Sequence, residues 1–479
     1  MTVPPAEHAT ATPGPIPPPG CPAHTATGPG GATRLYGPAA STDPMGLYEE
    51  LRAAHGPVAP VLLDGDVRAW LVLGYLENRD VASRPTQFSR DPRVWHGWTS
   101  GEIDPETSPL VPMIGWRPDC VCADGEEHQR LRGAVTAGLG QFDHRGLRRL
   151  ITRFSHQLID GFCEDGEVEL VSRFTEHLPM LVLIHLLGMT DEDSPELVRA
   201  ARDLFKATET SLASNAYVLE SLRKLVVAKA ARPGHDIASA LLAHPAGLTE
   251  EEVQHHLRLV LLAGYETTAN LMSNVLRMVV TDPRFRGSLA GGQMTVPEAV
   301  EQVLWDEPPL MVCPGRWANG DTTLGGQEIK AGDMLLLGLA AGNVDKTIRP
   351  DAETPVHHNR AHLSFSAGTH ECPGQDIGRI IADTGIDILL TRLPDIDLSV
   401  PEESLSWRSS TWARHLTALP VSFGPRAPQG FDSLAPLPAP PARSEAVPAP
   451  RPVPASDTAG RTGPRPSWWA RATRFLRGR

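Results

Sequence analysis

The chain has 479 residues and a formal net charge of −13. A chain of this length can bury a large core without disulfide staples, and its acidic balance argues against nucleic acid as a partner of the whole protein. The six cysteines are sparse and unevenly spaced, which fits reduced thiols rather than an oxidised secreted scaffold.

Residues 1–41 are rich in Pro, Ala, Gly and Thr and lack periodic apolar positions, so they are read as a disordered extension. The opening Met1-Thr2-Val3-Pro4-Pro5 has no basic stretch leading into an apolar run, which excludes a secretory signal. Asp43-Pro44 introduces a short helix through Leu47, Tyr48 and Leu51. Val67 to Leu73 alternates and is rich in Val and Leu, so it predicts a strand. Cys120 and Cys122 are too close for a zinc pair, whose ligands usually need two or more intervening residues and a second pair elsewhere. Helical spacing recurs over His128–Leu139, Leu147–Phe162 and in pieces across Asp193–Lys229. Leu178–Met189 is the most apolar stretch, yet it is well short of the roughly 20 residues that span a bilayer. The chain is therefore expected to be cytoplasmic, without a transmembrane segment.

Thr249, with Glu252 three residues on, forms a capping box. It opens a long helix through Val253, Leu257, Leu261, Gly264, Thr268 and Val275. Short strands are expected at Gly325–Ile329 and Met334–Leu339, with a final pair around Trp412–Phe423. From 425 the chain is again rich in Pro and Ala and reads as an extended linker to 460. Residues 461–479 carry six arginines with Trp468, Trp469, Phe475 and Leu476. Such a basic, apolar-faced segment can mark a membrane-surface or partner-binding helix, or be a solvated tail. The folded body is placed at 42–424: mainly α with a small β portion.

The strongest local signal is Phe365-Ser366-Ala367-Gly368-Thr369-His370-Glu371-Cys372-Pro373-Gly374. A lone cysteine follows a glycine-containing turn and directly precedes a helix from Gln375 to Leu390. A helix N-terminus offers free N–H groups and positive potential, which lower a thiol pKa. A thiolate held this way suits a haem iron, and Gly368 and Gly374 let backbone approach a flat ligand closely.

This segment resembles the haem-binding signature of the cytochrome P-450 family, F-x-x-G-x-x-x-C-x-G, at Phe365, Gly368, Cys372 and Gly374. Ala263-Gly264-Tyr265-Glu266-Thr267-Thr268 on the long helix resembles the oxygen-activation motif of the same family. His128 and Arg132, four apart on one helical face, resemble its propionate-binding H-x-x-x-R pair. The resemblance runs in unbroken order over 42–424. It implies the P-450 fold, a haem b (iron protoporphyrin IX) cofactor with Cys372 as axial iron ligand, and monooxygenation of a small apolar substrate. Gly264 would then open a groove for dioxygen, Thr267 hydrogen-bond it, and Glu266 pass protons inward. Arg316 and His370 would join His128 and Arg132 at the propionates. Electrons are expected from a separate ferredoxin and ferredoxin reductase, the ferredoxin docking near Arg130, Arg148 and Arg379. A peroxide-driven peroxygenase or peroxidase, or a non-catalytic haem-binding sensor or accessory protein, is compatible with the same residues.

Three departures stand out. Ser366 occupies a position where the family usually has glycine. Pro373 supplies no N–H beside the cysteine, which predicts a more electron-donating thiolate. The E-x-x-R pair expected before Pro308-Pro309 is replaced by Gln302 and Trp305, a combination that resembles a divergent streptomycete branch. Trp305 is expected to pack against the segment leading to Phe365, and Gln302 to bond backbone.

Overall fold

The computed structural model describes residues 32–101, 103, 108, 110–189, 194–206, 211–350 and 359–430. Expectations for residues 1–31 and for the chain beyond 430, including the basic tail, lie outside the described residues. The body is mainly helical with small sheets. The helices used below are α1 (Pro44–His55), α2 (Tyr75–Ser83), α3 (Gly125–Gly140), α4 (His144–Asp160), α5 (His177–Leu187), α6 (Glu250–Thr281), α7 (Val296–Asp306) and α8 (Gln375–Arg392).

Local chemistry sets the helix ends. Asp43 accepts from the Gly46 amide at 2.9 Å and caps α1, and Asp143 does the same for α4 through Gly146 at 2.7 Å. The α6 capping box is present in full: Thr249 accepts from the Glu252 amide while Glu252 accepts from that of Thr249. Each such cap satisfies donors that the first helical turn leaves unpaired. The apolar stretch Leu178–Met189 becomes α5, which is buried nearly all round and closes with Gly188 in the left-handed region at φ 92°. It is a core helix packed against α6, and no described helix is long and apolar enough to cross a membrane.

The main sheet has six strands: β1 (Thr33–Arg34), β2 (Val58–Leu63), β3 (Val67–Val72), β4 (Phe88–Ser89), β5 (Val312–Ala318) and β6 (Met334–Gly338), in the order β1-β2-β3-β6-β5-β4. Thr33–Arg34 pairs with Val61–Leu62, so the sheet begins ahead of the expected boundary at 42. At the other end, the Arg426 amide donates to the Cys163 carbonyl and those of Gln429 and Gly430 to Asp160, past the boundary at 424. A two-stranded hairpin joins β7 (Trp407–Ser409) to β8 (Arg414–Leu416). The expected final pair is thus displaced: Pro420–Ser422 pairs with Glu167–Glu169 and Asp397–Leu398 instead.

Candidate active site

The cysteine loop is closed by its own backbone. The Cys372 amide donates to the Phe365 carbonyl at 2.9 Å and the Glu371 amide to that of Gly368 at 3.1 Å. Gly368 has φ 71°, and a Cβ there would lie 2.4 Å from the Ala82 carbonyl oxygen at the end of α2, so both conformation and space demand glycine. Ser366 also lies in the left-handed region, at φ 61°. A side chain there costs about 1–2 kcal/mol, partly offset by the chain entropy that glycine would lose. Ser366→Gly is therefore expected to raise stability by up to about 1 kcal/mol, read as a higher urea midpoint; a lower midpoint would count against the strain.

The Cys372 sulfur lies between this loop and the start of α8. Burial pushes its thiol pKa up, and this outweighs the hydrogen bond from the Gly374 amide and the attraction of Arg132 and Arg379. The lowered thiol pKa expected from the helix terminus alone is thus not found. Phe365 lies under the Arg379 guanidinium, 4.4 Å from ring centroid to carbon.

Ala263 is exposed and Gly264 half-exposed midway along α6, although Leu261, Leu262 and Tyr265 around them are buried. Open space therefore meets the helix at this point. Thr267 Oγ1 donates to the Ala263 carbonyl at 2.7 Å, the back-bonded state of a helical threonine. Glu266 is deeply placed, and burial raises its pKa against the pull of His415 and Arg408. Its carboxylate meets His415 Nε2 of β8 at 2.7 Å. His415 escaped the sequence reading because the hairpin register, not any motif, brings it here.

The cation set expected for haem acids is brought together in part. His128 and His370 are in ring contact, centroids 4.0 Å apart and planes tilted by 44°, and His370 Nε2 lies 3.4 Å from Asp124. Burial first, then Arg90, Arg316 and His128, drive the His370 pKa down to about 3 despite Asp124. Arg316, on β5, is 2% exposed. Its Nε and Nη1, and Nε2 of His128, are buried without a hydrogen-bond partner. Burial, with repulsion from Arg90, pulls the Arg316 pKa down to about 9 against the weaker attraction of Cys313 and Asp124, as for a buried cation whose charge is not fully paired. Arg132 instead donates to the Glu371 carbonyl of the cysteine loop. A thiolate-ligated iron porphyrin would need a sulfur on one face, open space on the other and donors for two carboxylates. Cys372, the opening at Ala263, and the unpartnered atoms of Arg316 and His128 fit that need.

The missing E-x-x-R pair has a replacement the sequence reading did not find. Glu301, one residue before Gln302, is 6% exposed. It binds Arg379 Nε at 2.5 Å, His362 Nε2 at 3.0 Å and Arg360 Nε at 3.4 Å. Glu301 and Trp305 are four apart, so they share one face of α7. Trp305 Nε1 donates to the Asn359 carbonyl at 2.7 Å, and its ring meets His362 edge-on at 5.8 Å. That agrees with the expected packing toward Phe365. Gln302 donates to the Asp306 carboxylate at 2.7 Å. An acid one position off the expected pattern, with an arginine in the second turn of α8, was the available signal.

Arginine at 305 would join Arg349, which lies over the Trp305 ring at 5.9 Å, and the cations already gathered at Glu301. Trp305→Arg is therefore expected to speed haem loss to an excess of acceptor about tenfold, equivalent to 1.4 kcal/mol. Slower loss would overturn this account of the packing.

The three arginines expected at a docking face are all engaged within the chain. Arg379 is 8% exposed and tied to Glu301, which removes it from any docking surface. Arg130 pairs with Glu127 and Glu252, and Arg148 with Asp383 at 3.1 Å. Cys120 and Cys122 are buried, and the Cys120 amide donates to His256 Nε2 at 3.0 Å.

No family model matches the chain. It is 30% identical to the vitamin D(3) 25-hydroxylase of Pseudonocardia autotrophica, over 80% of this chain and 95% of that protein. It is 29% identical to the mycinamicin IV hydroxylase/epoxidase of Micromonospora griseorubida, over 78% of this chain and 94% of that one. Among solved structures, CYP154C4 from a Streptomyces species superposes with a TM-score of 0.74 at 30% identity, covering 79% of this chain and 95% of that one.

Proposed function

The chain belongs to the cytochrome P450 family, and from that premise we propose which reaction it runs and which residues run it. As a haem-thiolate monooxygenase it requires dioxygen, two electrons, two protons and a small organic substrate. The proposed substrate is an apolar small molecule, the cofactor haem b, the electron source a ferredoxin with its reductase, and the location the cytoplasm. The observation that carries the site assignment is the conjunction of a buried Cys372 sulfur with unpartnered buried atoms on Arg316 and His128.

Cys372 would ligate the iron from the α8 side. Arg316 and His128 would donate to the propionates, with Arg132 turning from the Glu371 carbonyl to join them and His370 packed against His128. Phe365, Gly368 and Gly374 shape the loop that presents the sulfur. Bound haem supplies dioxygen binding and its reductive cleavage. The polypeptide does the rest. A Cβ on Gly264 would lie 3.1 Å from Leu183 of α5, so this glycine lets α5 pack closely on α6 and does not itself open the groove expected for dioxygen; the exposed Ala263 marks the open face. Burial favours a protonated Glu266, and so a proton held at its carboxyl oxygen. The Thr267 hydroxyl can leave its back-bond to Ala263 and turn to the reacting oxygen.

The test is a carbon monoxide difference spectrum of the reduced, haem-supplemented full chain. Turnover of an apolar compound panel with ferredoxin and reductase, and separately with peroxide, then follows. A thiolate-type band with ferredoxin-driven product is expected. Turnover with peroxide alone would replace the reading with a peroxygenase, and a haem-loaded chain inert to both with a haem-binding accessory protein.

A further inference from the structure

Glu266, His415 and Asn270 form a connected polar group where α6 meets the β7–β8 hairpin. Glu266 and Asn270 are one helical turn apart and face the same ring. His415 Nε2 lies 2.7 Å from Glu266 Oε1, and Nδ1 lies 2.8 Å from Asn270 Oδ1. Asn270 is 8% exposed, and its Nδ2 is buried without a partner. The side chains of His415 and Glu266 are each 15% exposed, so this buried group still has an edge toward solvent. Arg408 stands opposite His415 in the hairpin register and is the other cation that acts on Glu266. Arg414, opposite Ser409 in the hairpin register, lies over the Trp407 ring, as does Arg277.

The hydrogen-bond inventory fixes what the ring can do. A carbonyl oxygen only accepts, so contact with Asn270 Oδ1 requires a proton on Nδ1. Contact with an ionised Glu266 requires one on Nε2. Both together describe an imidazolium. Turning the Asn270 amide half a revolution would aim its unpartnered Nδ2 at Nδ1, and the same site would then hold a neutral ring with its proton on Nε2. Oxygen and nitrogen of an amide are interchangeable in shape, so the site accepts both protonation states of His415 at the cost of one amide turn.

We infer that His415 is a positioning residue that reprotonates Glu266, so that the distal acid draws protons through the β7–β8 hairpin. This rests on the monooxygenase reading above. The neutral ring, its proton on Nε2, takes a second from solvent at Nδ1 as Asn270 turns its Oδ1 to accept from Nδ1–H; the imidazolium so formed gives its Nε2 proton to the Glu266 carboxylate, and the ring, left with Nδ1–H, returns to its starting tautomer by exchanging that proton with solvent. Glu266 in turn yields its proton to the oxygen chemistry. No electron moves in this step, and each proton that enters at the ring leaves as part of water or product. Imidazole suits the role because its two nitrogens can receive and release on opposite edges.

The experiment compares the haem-loaded full chain with His415→Gln. The infrared band of the protonated Glu266 carboxyl, assigned by its loss in Glu266→Gln, is titrated in both. Because His415 opposes the upward pull of burial on Glu266, the band is expected to persist to higher pH in His415→Gln, by a tenfold or larger change in proton affinity. Oxygen reduction with ferredoxin and reductase is expected to slow about tenfold, or 1.4 kcal/mol of barrier, with a larger solvent deuterium effect. Either readout unmoved overturns the relay. Should His415→Gln fail to hold haem, nitrogen-15 spectra of the unsubstituted ferrous carbon monoxide form decide. A ring that lacks its Nε2 proton even where the Glu266 carboxyl is ionised excludes the inference. A wild-type chain that binds no haem sinks the monooxygenase reading, whereas a haem-loaded wild type indistinguishable from its variant sinks this inference alone.

Discussion

Glu301→Leu is expected to destabilise the fold by about 3–5 kcal/mol, the usual cost of removing one partner from a buried ion pair. The substitution strands Arg379 and His362, whose side chains are 10% and 1% exposed. Arg360, 62% exposed, turns to water and contributes little. The same network makes stability depend on acid. Burial pushes the Glu301 carboxyl up, but hydrogen bonds from His362 and Arg379 outweigh it and bring the pKa down to about 2 from an ordinary 4.5. A carboxylate with a depressed folded pKa stabilises above its unfolded value and loses that contribution as pH falls through the folded one. The wild type should therefore lose about 3 kcal/mol between pH 5 and pH 2 that the leucine variant lacks. Denaturant midpoints across that range check both effects. Equal acid sensitivity in the two chains would show that Glu301 is not the anchor. His362 and Phe365 lead directly into the cysteine loop, and Arg379 lies over the Phe365 ring, so haem retention should fall with stability.

Cys372→Ala is expected to abolish turnover, at least a thousandfold or about 4 kcal/mol of barrier, while the polypeptide still folds. The loop is closed by the Cys372 amide and the Phe365 carbonyl, and alanine keeps that amide. What disappears is the sulfur beside the Gly374 N–H. Residual haem should show no thiolate-type band with carbon monoxide, and circular dichroism should be unchanged. A variant that keeps the thiolate band would place the iron ligand elsewhere.

Local signals in the chain identified several parts of this protein. The capping box at Thr249 and Glu252 marked the start of the long helix because a cap is satisfied within four residues. Val67–Val72 and Met334–Gly338 were readable from their Val- and Leu-rich character. The cysteine loop was legible because Gly368, Cys372 and Gly374 lie within a few residues, and close approach restricts residue type there. The departure at Ser366 was visible as a missing glycine, but its left-handed backbone was found only in the structure.

What the chain could not disclose were pairings set by distance in space. The alignment placed the missing ion pair at Gln302 and Trp305, yet helix phase turns Glu301 toward Arg379 and His362. Arg379 looked like a docking cation until packing buried it. The partner of Glu266, 149 positions away at His415, comes from the register of a short hairpin. Periodicity and turn chemistry act over a few residues, so sequence determined the elements and the loop that offers the sulfur. Long-range charge pairing depends on which faces meet when the core closes. Only the tertiary structure could decide which acids and bases answer one another.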